Sequence, residues 1–166
     1  GTYTVLVTDL NSCTTTASAT VTQPIAVLNA TAAVTNVSCF GGNNGTITVT
    51  VTGGTTAYSF DWGGAVTTQN RTALTAGAYN VTVTDNGGCT ASASATITQP
   101  TAVAVLSMIT SVSCNGGSNG SINITPSGGT SPYTFNWGGV TTEDRTGLAA
   151  GSYTVTVTDF KGCTAS

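Results

Sequence analysis

Apolar and polar residues alternate along several short segments of the chain, and turns rich in glycine or asparagine separate many of these segments. Between positions 79 and 84, Tyr79, Val81 and Val83 share one face, whereas the intervening asparagine and threonines share the other. The segment 46–52 alternates isoleucine and valine with threonine in the same way. A period of two residues is typical of a β-strand with one buried face. The pattern predicts strands over 26–34, 46–52, 58–62, 66–69, 79–84 and 90–98.

The same segments recur along the chain. The pattern Gly-x-Tyr-x-Val-x-Val-Thr-Asp at 1–9 returns at 77–85 and again at 151–159. Three shorter segments return once each: 22–24 at 98–100, 37–39 at 112–114, and 62–64 at 137–139. The period is therefore about 75 residues, which indicates a tandem repeat. One copy has an extra residue at Ala65, and such a length difference is typical of a surface loop.

Gln-Pro pairs mark the predicted boundaries between repeats, because proline cannot donate to a sheet and is confined to its margins. Residues 1–24 are then the C-terminal part of a preceding repeat, 25–100 a complete second repeat, and 101–166 a third repeat that lacks its last strand. No glycine- and serine-rich linker lies between them. We therefore expect the repeats to lie end to end in a fairly stiff arrangement.

Two sequence features favour an immunoglobulin-like topology. The pattern Leu-x-Ala-Gly-x-Tyr ends at Tyr79 and again at Tyr153, as in a tyrosine corner, where the phenol bonds back to the backbone at the start of a late strand. Trp62 and Trp137 lie in the middle of their repeats, where such sandwiches carry a core tryptophan. The sequence therefore predicts an all-β fold of tandem Ig-like β-sandwich repeats, with Trp62, Tyr79, Trp137 and Tyr153 in their structural cores.

The five cysteines fall at two equivalent places of the repeat, early at Cys39 and Cys114, and late at Cys13, Cys89 and Cys163. We expect disulfides between Cys39 and Cys89 and between Cys114 and Cys163, because pairing within each repeat treats every copy alike. Cys13 is left for a partner further upstream. A small repeat has a marginal core, and such a bond would stabilise it. Disulfides also predict an extracellular location.

Charge and composition exclude several functions. The chain has three lysine and arginine residues against six aspartate and glutamate residues, a net charge of −3 and no histidine. It therefore lacks the basic surface that nucleic-acid binding requires, and we expect no nucleic-acid partner. Without histidine, no histidine-based catalytic triad or dyad exists, so we predict that the chain is not an enzyme. No segment is apolar for long enough to predict a membrane span.

Three aspartates at equivalent positions, Asp9, Asp85 and Asp159, each end a predicted strand just before a turn. Such carboxylates bind Ca²⁺ in some proteins, and in others they cap the backbone N–H groups of the turn. Calcium requires six to eight oxygen ligands, whereas the sequence supplies about one carboxylate at each place. Turn capping is therefore the preferred interpretation, and no other metal or cofactor is expected.

The aromatic residues of the middle of each repeat have two interpretations. Tyr58 and Trp62, like Tyr133 and Trp137, could stack against sugar rings. However, the two members of each pair are four residues apart and share one face of a strand with a phenylalanine between them. A row of aromatic residues on one face is more simply explained as part of the core.

The third repeat resembles the SprB repeat. The resemblance rests on Val-Ser-Cys-Asn-Gly-Gly-Ser-Asn-Gly-Ser-Ile at 112–122, Gly-Gly-Thr-Ser-Pro-Tyr-Thr-Phe-Asn-Trp at 128–137, the tyrosine-corner strand at 148–159 and Gly-Cys-Thr at 162–164. The second repeat has the same landmarks, with Phe40 and Ala57 as its main departures. The resemblance implies a very large cell-surface protein of Bacteroidota, such as a gliding-motility adhesin exported by type IX secretion, and it brings no catalytic residues.

These features together predict a structural stalk or filament in a secreted bacterial cell-surface adhesin, serving gliding motility or surface attachment. Its partners would be neighbouring repeats of the same chain and other copies in a fibre. The alternative is an Ig-like module that binds a surface polysaccharide or a protein through the loops near 40–44 and 63–72.

Overall fold

A computed structural model describes residues 1–23 and 26–166 of the chain. Over these residues it contains fourteen β-strands and no helix, which confirms the predicted all-β class. Threonine and valine are frequent in the strands because β-branched side chains pack well on a pleated sheet. The strands are β1 (Thr2–Thr8), β2 (Thr14–Thr20), β3 (Asn29–Thr35), β4 (Gly45–Thr52), β5 (Tyr58–Asp61), β6 (Arg71–Leu74), β7 (Gly77–Asp85), β8 (Thr90–Ile97), β9 (Ala104–Thr110), β10 (Gly120–Ser127), β11 (Thr134–Asn136), β12 (Arg145–Leu148), β13 (Thr156–Thr158) and β14 (Thr164–Ala165).

Every sheet takes its strands from a single repeat. The first segment forms the two-stranded sheet β1-β2. The second repeat forms the sheets β3-β4-β6 and β5-β7-β8, and the third forms β9-β10-β12 and β11-β13-β14. The two sets have the same strand order, as expected for a tandem repeat, and β14 is a two-residue counterpart of the eight-residue β8. These small antiparallel sheets, two in the second repeat and two in the third, are consistent with tandem β-sandwiches.

The described residues also group into two compact units. The first comprises Gly1–Thr31, Thr50–Thr67 and Val81–Ala93, and the second comprises Ala32–Val49, Thr68–Asn80 and Ser94–Ser166. The predicted boundary between residues 24 and 25 lies outside the described residues. The repeat boundaries at the Gln-Pro pairs stay a prediction.

The alternation along the strands corresponds to burial. In β4, Ile47 and Val49 are buried while Thr48 and Thr50 are exposed. In the third repeat a buried cluster forms from residues of β10, the end of β12 and the β13 region, namely Ile122, Ile124, Leu148, Val155 and Val157. Tyr133, Phe135 and Trp137 pack against this cluster, together with two valines of the segment 103–105. The aromatic row is therefore part of the core side of the sheet, as the sequence predicted.

One predicted strand, 66–69, is wrong. Residues 66–69 form no strand, and the strand β6 begins at Arg71 instead. Gln69 donates from Nε2 to the Val49 carbonyl at 2.8 Å, and Asn70 Oδ1 accepts from the Val49 N–H at 3.0 Å. Two side chains thus provide the hydrogen bonds that a neighbouring strand would have given β4 at this point. In the third repeat Asp144 Oδ1 accepts from the Ile124 N–H at 2.9 Å.

Candidate functional site: the cysteine loops and their disulfide

Each late cysteine closes a tight hairpin that begins at an aspartate. These late-cysteine hairpins are Asp9–Cys13, Asp85–Cys89 and Asp159–Cys163. In all three, the aspartate N–H donates to the cysteine carbonyl at 2.9 Å, and the cysteine N–H donates to the aspartate Oδ1 at 2.8 Å. The residue before the cysteine has positive φ in each case. A glycine there, as at Gly88 and Gly162, adopts this conformation at low cost.

The aspartates of the second and third hairpins are buried and bonded on both carboxylate oxygens. Oδ1 of Asp85 accepts from the N–H of Gly87 at 2.9 Å, in addition to the cysteine, and Oδ2 accepts from the N–H of Thr55 at 2.8 Å. Asp159 repeats the arrangement with Lys161 at 2.9 Å and Thr130 at 2.7 Å. Each carboxylate therefore ties its hairpin to the turn that follows β4 or β10.

These hydrogen bonds favour the ionised carboxylate. The Thr55 N–H is the main cause that lowers the pKa of Asp85, and the N–H groups of the hairpin add to it against the effect of burial. Burial is the largest single influence on Asp159 and opposes ionisation. Its backbone hydrogen bonds together outweigh burial and lower the pKa of Asp159. Both carboxyl groups therefore stay ionised to a lower pH than an ordinary aspartate does.

The calcium interpretation of Asp9, Asp85 and Asp159 does not fit this donor set. The oxygens of Asp85 and Asp159 face backbone N–H groups, whereas calcium would require further oxygen ligands in their place. Asp9 accepts from the N–H groups of Asn11 and Cys13. Among the described residues, no group of three or more acidic, cysteine or histidine side chains is arranged to hold a metal ion. The three aspartates act as turn caps.

Each early cysteine lies in a glycine-rich loop held by an asparagine. These early-cysteine loops are 38–44 and 113–119. In the first loop Asn44 Oδ1 accepts from the Ser38 N–H at 2.9 Å, while its Nδ2 donates to the Ser38 hydroxyl at 2.8 Å. Ser113 and Asn119 repeat both bonds at 3.0 and 2.9 Å. The glycine-rich motifs are therefore clamped turns that present a cysteine.

The disulfide of the structure joins the two kinds of loop across a repeat boundary. Cys39 of the second repeat bonds Cys163 of the third, with their Cα atoms 5.6 Å apart. Cys13, Cys89 and Cys114 are free thiols on exposed residues. The predicted pairs Cys39–Cys89 and Cys114–Cys163 are therefore wrong.

The third repeat shows why its own two cysteines do not meet. The Cys114 loop precedes Gly120, the first residue of β10, whereas the Cys163 hairpin contacts the turn that follows β10, through Asp159 and Thr130. The two cysteines therefore lie at opposite ends of an eight-residue strand, which is roughly 25 Å long. Cα atoms in a disulfide lie within about 7 Å of each other.

Other contacts reinforce the bonded junction. The Gly41 N–H donates to Gln99 Oε1 at 2.9 Å, and the Thr98 N–H donates to Asn36 Oδ1 at 2.9 Å. These bonds fix the Cys39 loop against the chain that enters the third repeat. A pocket beside the disulfide is lined by Cys39, Phe40, Ala102, Val103, Gly162, Cys163 and Thr164. Sequence reasoning missed Asn36 and Gln99, although the repeated Thr-Gln-Pro segment was a signal that this position matters.

The predicted core residues differ in their burial. Trp137 packs on the core cluster, and its Nε1 donates to the Thr142 carbonyl at 2.9 Å. Trp62 and Tyr79 are half-buried, whereas Tyr153 is 38% exposed and lies at the margin of the core. A corner tyrosine is held at the edge because its hydroxyl must reach the backbone.

The tyrosine corners themselves are confirmed. Tyr79 donates from its hydroxyl to the Thr75 carbonyl at 2.9 Å, and Tyr153 donates to the Ala149 carbonyl at 3.0 Å. An arginine lies over each ring, Arg71 at 5.5 Å and Arg145 at 5.9 Å from the ring centre.

The sequence model of the SprB repeat matches this chain at residues 31–67 and 106–142. Each match begins in the first strand of a repeat, β3 or β9, and includes the early cysteine and the tryptophan. The two matches are 75 residues apart, in agreement with the period of the sequence. No curated protein matches the chain. Within the described residues, no helix is long and apolar enough to cross a membrane.

Proposed function

Because this chain carries two copies of the SprB repeat, we propose that it belongs to the structural repeat region, a stalk or filament, of a secreted bacterial cell-surface adhesin. The observation that carries the proposal is the covalent bond between Cys39 and Cys163, which joins two successive repeats. A protein whose repeats acted independently would have no need of a bond between them. Disulfides also persist outside the cytosol, in agreement with a surface location.

A non-catalytic role is part of this proposal. The chain has no histidine. Its two buried carboxylates, Asp85 and Asp159, are occupied by backbone N–H groups, and Asp144 is bonded to the backbone of β10. These acidic groups therefore serve the fold and are not available to a substrate.

Electron microscopy of the native protein tests the proposed stalk. Negative staining of protein released from the cell surface should show thin filaments, and antibody against residues 25–166 should label intact cells. Isolated compact particles from full-length protein, or labelling only after the cells are permeabilised, would contradict the proposal.

We also propose that the adhesin serves gliding motility or attachment and leaves the cell by type IX secretion, as the family resemblance implies. Deletion of the type IX machinery in the source bacterium should remove the antibody label from the surface. Deletion of the gene itself should reduce adhesion to glass or movement over agar. Unchanged surface labelling in the first strain would contradict the export route alone.

A second candidate is a module that binds polysaccharide or protein. Phe40 favours it, because its side chain is 59% exposed in the early-cysteine loop. A glycan array probed with the whole chain and with Phe40→Ser discriminates the two functions. Reproducible binding that the substitution abolishes would favour a binding module, whereas absence of binding favours the stalk.

A further inference from the structure

Among the residues that the structure describes, three exposed cysteines have no disulfide partner. Cys13 and Cys89 lie in late-cysteine hairpins with the hydrogen bonds of the Cys163 hairpin, and Cys114 lies in an early-cysteine loop with those of the Cys39 loop. Each free thiol is thus presented by a loop whose equivalent elsewhere in the chain is already bonded.

We propose that Cys13, Cys89 and Cys114 are attachment sites for further SprB repeats, in a ladder in which each early cysteine bonds the late cysteine of the next repeat. Cys13 and Cys89 would each form a disulfide with the early cysteine of the preceding repeat. Cys114 would form one with the late cysteine of the following repeat. The inference rests on loop geometry and stands independently of the adhesin function.

The surroundings of Cys89 support this assignment. A pocket beside it is lined by Gln23, Ala26, Val27, Leu28, Gly54, Cys89 and Thr90. Ala26, Val27, Cys89 and Thr90 are equivalent to four of the five residues of the third repeat that line the pocket beside the disulfide, namely Ala102, Val103, Cys163 and Thr164.

Val27, in the pocket beside Cys89, is far more exposed than its equivalent in the third repeat. Its side chain is 90% exposed, whereas the equivalent Val103 is half-buried. Gln23 is equivalent to Gln99, whose side chain accepts a hydrogen bond from Gly41 of the bonded loop. An apolar contact, a hydrogen-bond acceptor and a thiol are therefore placed together around Cys89, matching an incoming early-cysteine loop.

The ladder agrees with the position of the two loops. They lie at opposite ends of β10 in the third repeat, so the cysteines of one repeat point to different neighbours. Each bond forms when two thiols lose two protons and two electrons to a disulfide oxidant of the extracytoplasmic space, which is reduced to a dithiol. Every internal repeat would then contribute to two disulfides.

Peptide mapping of the oxidised chain tests the first bond. Trypsin cuts after the three basic residues and gives four peptides: 1–71, 72–145, 146–161, which has no cysteine, and the short peptide 162–166, which carries Cys163. Without reductant, 162–166 should be linked to 1–71 and should remain so in Cys13→Ser. A link from 162–166 to 72–145, or from 1–71 to 72–145, would overturn the proposal.

An extended chain tests the ladder itself. Insertion of a second copy of 25–100 after Pro100 adds one early and one late cysteine. The ladder then links Cys39 to the inserted late cysteine and the inserted early cysteine to Cys163, which leaves three thiols to react with a maleimide. Pairing within repeats would leave one.

Two variants of the extended chain serve as controls. Cys114→Ser should lower the count of reactive thiols from three to two and leave both disulfides intact. Cys39→Ser should release the inserted late cysteine, which raises the count of reactive thiols from three to four and leaves one disulfide. A single reactive thiol in the parent extended chain, or disulfide-linked dimers that join Cys114 of one copy to Cys114 of another, would overturn the assignment to neighbouring repeats. None of these outcomes depends on whether the protein is an adhesin.

Discussion

The hairpins Asp85–Cys89 and Asp159–Cys163 have the same backbone hydrogen bonds and the same buried, doubly bonded aspartate, yet only the second carries a disulfide. The hairpin conformation therefore depends on its aspartate and on the neighbouring turn, and not on the sulfur bond. The disulfide adds a connection between repeats to a hairpin that is already formed.

The largest difference between the hairpins should appear on removal of their cysteines. Cys163→Ser breaks a bond between residues 124 positions apart, which on chain-entropy grounds is worth on the order of 5 kcal/mol. Cys89→Ser, the matched control, should change the free energy of unfolding very little because Cys89 is free and exposed. Urea unfolding without reductant measures both. Equal losses would show that the two hairpins do not differ as described.

Glycines beside the buried aspartates should affect both hairpins alike. Gly54 has φ +65°, and a Cβ there would lie 2.7 Å from Asp85 Oδ2; Gly129 has φ +59°, with its Cβ 2.6 Å from Asp159 Oδ2. Alanine at either position should cost about 2–4 kcal/mol, from a left-handed backbone and from the displaced carboxylate.

Gly63→Ala is the control for these glycines, because φ is +78° but no atom lies within 4 Å of its Cβ. It should cost only about 1 kcal/mol. Thermal unfolding of the three variants gives the comparison. A loss at Gly63 as large as at Gly54 would assign the effect to the backbone and not to the aspartate.

Replacement of either buried aspartate should cause a smaller loss of stability, and this loss should depend on pH. Their pKa values are lowered in the fold, so their contribution is complete above the ordinary aspartate value of 3.8 and is lost as the pH falls through the lower folded-state pKa. Asp85→Asn and Asp159→Asn should each be less stable than the parent at pH 7, and the difference should shrink below about pH 4. Unfolding midpoints measured between pH 2 and 7 test this. A difference that stays constant over that range would rule out the carboxylate charge as its cause.

The corner tyrosines should give the smallest effect. Tyr79→Phe and Tyr153→Phe each remove one hydroxyl hydrogen bond to a backbone carbonyl, and each should cost about 1 kcal/mol. Similar losses at the two positions would show that the repeats are equivalent in this region. A loss at only one would limit the tyrosine corner to that repeat.

The strands and the repeat were predictable from sequence because each depends on local order. Alternation at 46–52 and 79–84 placed β4 and β7 within one or two residues of their observed bounds. The prediction of a strand at 66–69 was wrong because the side chains of Gln69 and Asn70 form the hydrogen bonds to β4 that a neighbouring strand would otherwise form. A pattern of alternating residues cannot distinguish these two sources of hydrogen bonds.

The cysteine pairing was not predictable by the symmetry argument. If every disulfide forms within a repeat, all repeats have the same pairing. All repeats also have the same pairing if each early cysteine bonds the late cysteine of the next repeat. The choice depends on which end of β10 or its equivalent each loop occupies, and this is a property of the three-dimensional arrangement. The repeated Thr-Gln-Pro segment includes Gln99, which accepts a hydrogen bond from the Cys39 loop. The repetition marked this segment as important, but the sequence alone did not show which loop it contacts.

The bond between Cys39 and Cys163 also has a mechanical consequence. If the chain were pulled from both ends, the load would pass through the sulfur bridge and bypass the 124 residue steps between the two cysteines. An unbridged chain could lengthen by roughly 400 Å as that stretch unravelled. With the bridge intact, the same region would remain folded under tension, and its extension would be set by a covalent bond.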